Sequence, residues 1–215
     1  MEKYLEKKIQ LKGKLKLETG LHIGDSKENV QIGGVDSPIV RRKDNNQPFI
    51  PGSSLKGKIR CLLEQTRGAT EVGLGGEKIN NLFGFAKEEK PSKIIVRDAY
   101  LSEKSSEALE KSEFTDFPYT EVKFENTIGR ITGTAGNPRK IERVPVGAEF
   151  EIYFILNIWS DDEEKELVAL LEEGVKLLES DYLGGSGSRG YGQIKIEMDF
   201  SNPSVVYKSK VKENV

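Results

Sequence analysis

Glycine fills five of the ten positions from Leu183 to Gly192 (Gly184, Gly185, Gly187, Gly190 and Gly192), with Ser188 and Arg189 among them. Such a run opens left-handed backbone and lets amides gather toward one point or come close to a ligand. It reads either as a plain turn or as a seat for an anion such as a phosphate backbone. Its flanks constrain the fold. An acid-led segment of helical period, Asp161 to Ser180, precedes it, and an alternating strand pattern, Gln193 to Phe200, follows. A nucleotide-hydrolysing phosphate loop runs the other way, from strand into helix, and ends in Gly-Lys-Ser/Thr. That function is excluded.

The rest of the chain fits one domain of 215 residues. The single cysteine, Cys61, excludes an intramolecular disulfide and thiolate zinc sites, and its helical position predicts a buried, structural side chain. Charges run through the first ten residues and no stretch is apolar enough to cross a bilayer, so the expected setting is the cytoplasm, away from membranes. Net charge is −2, but the charges are segregated. Residues 39–60 carry six basic side chains against Asp44 alone, while residues 161–181 carry nine acids against two lysines. A basic face for a polyanion is compatible with that distribution, as are an unrelated basic loop and a solvated acidic helix.

Ile9, Leu11, Leu15 and Leu17 alternate with polar residues and predict a half-buried strand. A polar, glycine-rich insertion follows at about 20–52, too long for a simple connection. Ser53 or Ser54 is expected to cap a helix reaching about Thr66, with Leu55, Ile59, Leu62 and Leu63 inward and Lys56 and Arg60 sharing another face. A lid-like segment covers about 68–92, with a short helix at Glu77 to Leu82, and Lys93 to Leu101 reads as one strand. Residues 117–147 form a hairpin whose tip is placed at Gly133 to Pro138. Glu149 to Trp159 alternates as a strand, and the tail beyond Asn202 reads as loose. Without the insertions the order is β-α-β-β-α-β, a ferredoxin-like (RRM-like) α+β core of about 7–18, 53–66, 93–101 and 149–200. A fold does not by itself give a function.

Chemistry is offered at few places. Asp36 lies between turn residues in the basic insertion, and its carboxylate either closes an Asx-turn or serves a nuclease as acid, base or metal ligand. Alone it holds a divalent ion poorly, though substrate phosphates and water can complete the shell; Asp25, Glu28 and Asp44 are near in sequence only. His22 is the one histidine, which excludes a catalytic histidine pair. Ser53-Ser54-Leu55-Lys56 matches Ser-x-x-Lys, but the companion motifs of penicillin-recognising enzymes are absent. Helix-terminal amides with Lys56 and Arg60 behind them make either a phosphate seat or a solvated helix face. The hairpin carries Arg130, Arg139 and Arg143, cations that suit an arm wedged between bases or a plain surface hairpin.

Gly20-Leu-His-Ile-Gly24, Val35-Asp-Ser-Pro-Ile39, residues 50–60, Leu82-Phe-Gly84, residues 124–128, Asn137-Pro-Arg139, Glu142-Arg143 and residues 183–190 occur together and in order. In this the chain resembles the repeated backbone subunit of the type III-A (Csm) CRISPR effectors, of the repeat-associated mysterious protein (RAMP) superfamily. The resemblance implies head-to-tail copies along a CRISPR guide RNA, beside the other subunits of a type III-A complex. It implies an endoribonuclease that cuts complementary target RNA at six-nucleotide steps, dependent on Mg²⁺ or Mn²⁺, with Asp36 as catalytic acid and metal ligand. Guide contacts carry over onto His22, Ser53, Ser54, Lys56, Arg60 and the loop of Gly184, Gly185, Gly187, Ser188 and Arg189. The hairpin becomes a thumb that parts the guide–target duplex, and the RNA roles of Arg130, Arg139 and Arg143 follow from charge and place. Two other readings compete: a non-catalytic scaffold of related complexes, and a guide-processing endoribonuclease, which the basic insertion and the thumb oppose.

Overall fold

The computed structural model describes residues 3–25 and 35–211; Glu28 and the rest of 26–34 lie outside the described residues. Along the chain come strand β1 (Leu5–Leu17), β2 (Phe49–Ile50), helix α1 (Gly52–Thr66), α2 (Glu77–Phe83), β3 (Ile94–Val96), β4 (Ala99–Leu101) and α3 (Glu103–Glu110). They are followed by β5 (Glu121–Ile128), β6 (Ala135–Arg143), β7 (Glu149–Trp159), α4 (Glu164–Glu179), β8 (Ile194–Met198) and β9 (Ser204–Lys208). The main sheet runs β2-β4-β7-β1-β8, with β3 on β7 and β9 on β1. Every ladder in it is antiparallel. The central order β4-β7-β1-β8 is the ferredoxin-like one, in agreement with the α+β core read from the sequence.

Period two sets the core. Ile9, Leu11, Leu15 and Leu17 of β1 face the same way as Phe150, Ile152, Phe154, Leu156 and Ile158 of β7, and all are buried. Each such side chain contributes about 1.5–3 kcal/mol by leaving water. The stripes of α1 (Leu55, Ile59, Leu62, Leu63) and α4 (Leu167, Leu171, Val175, Leu178) cover that face. The two helices approach closely because Gly174 lacks a side chain: a Cβ there would lie 2.5 Å from Ile59 and 3.0 Å from Leu63.

Several expectations are corrected, some by tertiary bonds and some by local geometry. No serine caps α1. The helix begins at Gly52, after Pro51, and the Gly52 amide donates to the Asp98 carboxylate at 2.8 Å. Only glycine fits there, since a Cβ would lie 2.3 Å from the Val96 carbonyl oxygen. By turning to reach α1, Asp98 breaks the expected strand 93–101 into β3 and β4. Cys61 is exposed, not buried: at about 100° per residue it points roughly 200° from Ile59. Helix α3 was not expected; Ser102 caps it, accepting from the Ser105 amide at 3.3 Å. The hairpin tip is 129–134, because the Gly129 amide bonds to the Thr134 carbonyl at 2.9 Å and residues from Ala135 onward pair with β5. Helix α4 starts at Glu164, as the Asp162 carboxylate instead takes the Trp159 amide and the buried Lys93 ammonium. Within the tail expected to be loose, residues 204–208 form β9 and pair with residues 7–10 of β1; residues 212–215 lie outside the described residues.

Candidate nucleic-acid interface

The end of β6 gathers the sites that lie far apart in sequence. The Asp36 amide donates to the Lys140 carbonyl at 3.0 Å, and the Lys140 amide donates back to Asp36 Oδ2 at 2.7 Å. Ser37 bridges to Ile141 in parallel sense. Glu142, 4% exposed, accepts from the Ile39 amide at 2.9 Å, Arg41 Nη2 at 2.6 Å and Thr120 Oγ1 at 2.7 Å. Its backbone carbonyl takes His22 Nδ1 at 2.7 Å, which puts the ring proton on Nδ1. Val144 and Leu21 exchange backbone bonds at 2.8 and 2.9 Å. Five consecutive residues thus join the Asp36 loop, the His22 segment and the hairpin.

Asp36 is exposed, and its carboxylate binds across to the hairpin rather than closing an Asx-turn on its own loop. Asp44 is drawn away by Arg42, whose guanidinium holds that carboxyl below the usual range. Among the described residues no three His, Cys, Asp or Glu side chains stand together as a metal site. The described residues therefore do not fit a protein-built cage for Mg²⁺ or Mn²⁺; Asp36 offers one carboxylate.

The glycine loop lies against the same place. Gly184, at φ +79°, passes so close over His22 that a Cβ would lie 2.3 Å from the His22 carbonyl oxygen, and the Gly185 amide donates to that oxygen at 2.8 Å. The Gly192 amide reaches the Gly20 carbonyl at 3.0 Å, and the amides of Arg189 and Gly190 close a short 3₁₀ turn at Gly187–Arg189. Amides expected to face a ligand are thus spent inside the protein: those of Gly185 and Gly192 stitch the loop to residues 20–22, and those of Arg189 and Gly190 close its own turn. Ser188, Arg189 and Gly190 form its exposed crest, where Arg189 binds Ser186 Oγ at 2.6 Å and lies 3.6 Å from Glu125.

On α1 the cations have internal work. Lys56 donates to Ser92 Oγ at 2.6 Å, and burial, then the charge of Arg60, lower its pKa. Arg60 binds Glu64 at 2.9 Å, the Gly84 carbonyl at 2.7 Å and Asn80 Oδ1 at 3.1 Å, so it fastens the lid-like segment. Over its first turns α1 shows to solvent the i, i+4, i+8 row Ser53, Gly57 and Cys61, with Ser54 half-buried beside it, and the exposed Gln65 and Thr66 follow at its end. Gly57 was missed. Its signal was present: a glycine inside a helix costs about 1 kcal/mol against alanine, and here nothing lies within 4 Å of where a Cβ would be.

The hairpin splits the arginines. Arg143 turns inward to Glu121 at 2.5 Å, against Gly20, instead of standing free. Arg130 at the tip and Arg139 on β6 are exposed. Around them stand Phe124, Ile128 and Ile131, exposed to 65%, 64% and 100%. Large apolar side chains in water on a cationic arm are what a wedge between stacked bases requires.

Known proteins share this organisation. The family model for the RAMP superfamily matches residues 14–195. The CRISPR system Cms endoribonuclease Csm3 of Methanocaldococcus jannaschii is 45% identical over 89% of this chain and 79% of its own length. That of Enterococcus italicus is 42% identical over 89% of this chain and 91% of its own. The chain belongs to the RAMP superfamily, among its Csm3 endoribonucleases. A crystal structure of a Csm3–Csm4 subcomplex of the type III-A CRISPR-Cas interference complex superposes on this Csm3-family chain with a TM-score of 0.58, at 33% identity, covering 99% of this chain and 86% of that one. Among the described residues no helix is long and apolar enough to cross a membrane.

Proposed function

We propose that this Csm3-family endoribonuclease is an RNA-binding backbone subunit of a type III-A interference complex in the cytoplasm. Head-to-tail copies hold a CRISPR guide RNA and cut the complementary target once per subunit, at regular six-nucleotide steps. One observation carries the reading: residues 140–144, the end of β6 and Val144 after it, tie Asp36 and His22, and through His22 the glycine loop, to the base of an arm with exposed Phe124, Ile128 and Ile131. The guide lies over the Ser53–Gly57 face of α1, beside Ser54 and Lys56, and over the crest at Ser188 and Arg189. Arg60 supports that seat from beneath through its bonds to the lid-like segment. The thumb inserts into the duplex and turns out one target nucleotide, with Arg130 and Arg139 toward phosphates.

A turned-out nucleotide brings its 2′-oxygen into line with the neighbouring phosphorus. The 2′-O–P bond forms, the P–O5′ bond breaks, the departing O5′ takes a proton from water, and the products are a 2′,3′-cyclic phosphate and a 5′-hydroxyl. Asp36 holds or takes the 2′-hydroxyl proton, which is worth about 10²–10⁴-fold in such steps. A divalent ion, Mg²⁺ or Mn²⁺, would arrive with the RNA phosphates, since the protein supplies one carboxylate. The bond from the Lys140 amide to Asp36 Oδ2 favours a second reading, in which Asp36 only anchors its loop.

Reconstituted complex with Asp36→Asn, given matching target RNA and Mg²⁺, separates the two. Asparagine keeps an acceptor for the Lys140 amide, so the anchor survives while the charge is lost. Binding with no periodic cuts is the expected result; cutting at the normal rate would leave Asp36 as an anchor. Excess EDTA is expected to stop the cuts, and full activity in it would remove the ion.

A further inference from the structure

Two tyrosines end the glycine loop, and each is held by cations from a different part of the chain. The Tyr182 ring has Lys58 Nζ of α1 3.8 Å from its centroid, while its closeness to Gly187 is such that a Cβ there would lie 2.0 Å from the ring. The Tyr191 ring, 1% exposed, has Lys123 Nζ of β5 at 4.4 Å and Arg143 Cζ of β6 at 5.2 Å. Both strands of the thumb thus close on one ring of the loop. The Tyr191 hydroxyl is buried without a hydrogen bond of normal geometry among the described residues, and burial, then the nearby Glu125 carboxylate, push it up to about 12.

We propose that Tyr191 is a positioning residue: its ring, gripped by Lys123 and Arg143, fixes the angle at which the thumb leaves the core, and with it the phosphodiester at which the target is cut. This rests on the reading above, that the thumb selects the nucleotide turned out. The face of the ring carries the effect, since a cation over an aromatic face is stabilising and more so away from water. The hydroxyl, which makes no hydrogen bond of normal geometry and has only the Glu125 carboxylate nearby, is not part of that grip.

Tyr191→Phe, Tyr191→Leu and Lys123→Met test this in two ways. Amide exchange over 121–128 and 135–143 of the chain alone reads the grip; the ends of the target-RNA products from the guide-loaded complex read the position. Phenylalanine is expected to match the wild type in both. Leucine is expected to speed thumb exchange about tenfold, the equivalent of ~1.4 kcal/mol, and to shift a share of product ends by one nucleotide while guide retention stays the same. Lys123→Met, at a partly exposed site, should act in the same direction and keeps the test open if the leucine variant misfolds. Phenylalanine as damaging as leucine would assign the effect to the hydroxyl and overturn the proposal. So would faster exchange with unshifted ends, or leucine and methionine variants unchanged in both. A wild-type complex giving no regular ends would sink the reading of the thumb instead, and exchange would still decide the grip.

Discussion

Gly57 offers a test in which stability and function should move in opposite directions. It lies inside α1, is exposed, has no left-handed φ and has nothing within 4 Å of a would-be Cβ. Gly57→Ala therefore introduces no clash and no strain, and removes a backbone-entropy penalty of about 0.8–1.0 kcal/mol. For a chain of this size that raises the thermal midpoint by about 2–4 °C. The same methyl would stand on the row Ser53, Gly57 and Cys61, the flattest part of α1. If guide RNA packs there, the methyl holds it off, and losing close contact at one nucleotide is expected to weaken binding about tenfold, ~1.4 kcal/mol. Differential scanning fluorimetry of the chain and guide titration at fixed salt measure the two effects. A stabilised variant that binds guide like the wild type would show that this face is not the seat. An unchanged or lower midpoint would refute the helix argument itself.

Further tests follow from close contacts and buried pairs. Gly190→Ala adds only left-handed strain, at φ +82° with open space around it, whereas Gly184→Ala also drives a Cβ to 2.3 Å from the His22 carbonyl oxygen. The first should cost about 1–2 kcal/mol and the second clearly more in urea denaturation; equal costs would mean that the loop does not press on His22. Arg60→Ala leaves the buried Glu64 carboxylate with the Gly73 amide but without its cation and should lose about 3–5 kcal/mol, seen as a lower urea midpoint even without RNA; an unchanged midpoint would return Arg60 to the RNA surface. Ile131→Ser with Phe124→Ser should leave folding intact and slow target cutting without loss of guide, and unaltered cutting would remove the wedge.

Much of the fold was legible because burial imposes a period. β1 and β7 alternate, and α1 and α4 repeat at helical spacing, so their type and inward residues could be read directly, though not the starts of the helices. Elements without a buried stripe could not be read in that way. β9 presents Val205, Val206 and Tyr207 to solvent and is held by its ladder to β1. The break between β3 and β4 depends on Asp98 reaching the α1 amide, a bond across 46 positions. The candidate site followed the same division. Asp36, His22 and the glycine loop were identified as residues, but not that residues 140–144 hold them together. Nor could the partners of Lys56, Arg60 and Arg143 be foreseen, because charge does not say whether a cation faces RNA or a carboxylate within the same chain.

Among the described contacts, Asp36 gives its backbone N–H to the Lys140 carbonyl and accepts the Lys140 amide on its carboxylate, and Lys140 is a residue of the hairpin rather than of the main sheet. The carboxylate therefore rides on the arm. If the arm shifts along a bound duplex, the acid goes with it, and on the reading above the turned-out nucleotide and the severed linkage stay in step. Errors of placement would then come as whole-nucleotide displacements of a sharp cut, never as a blurred one: the ruler and the blade are one piece.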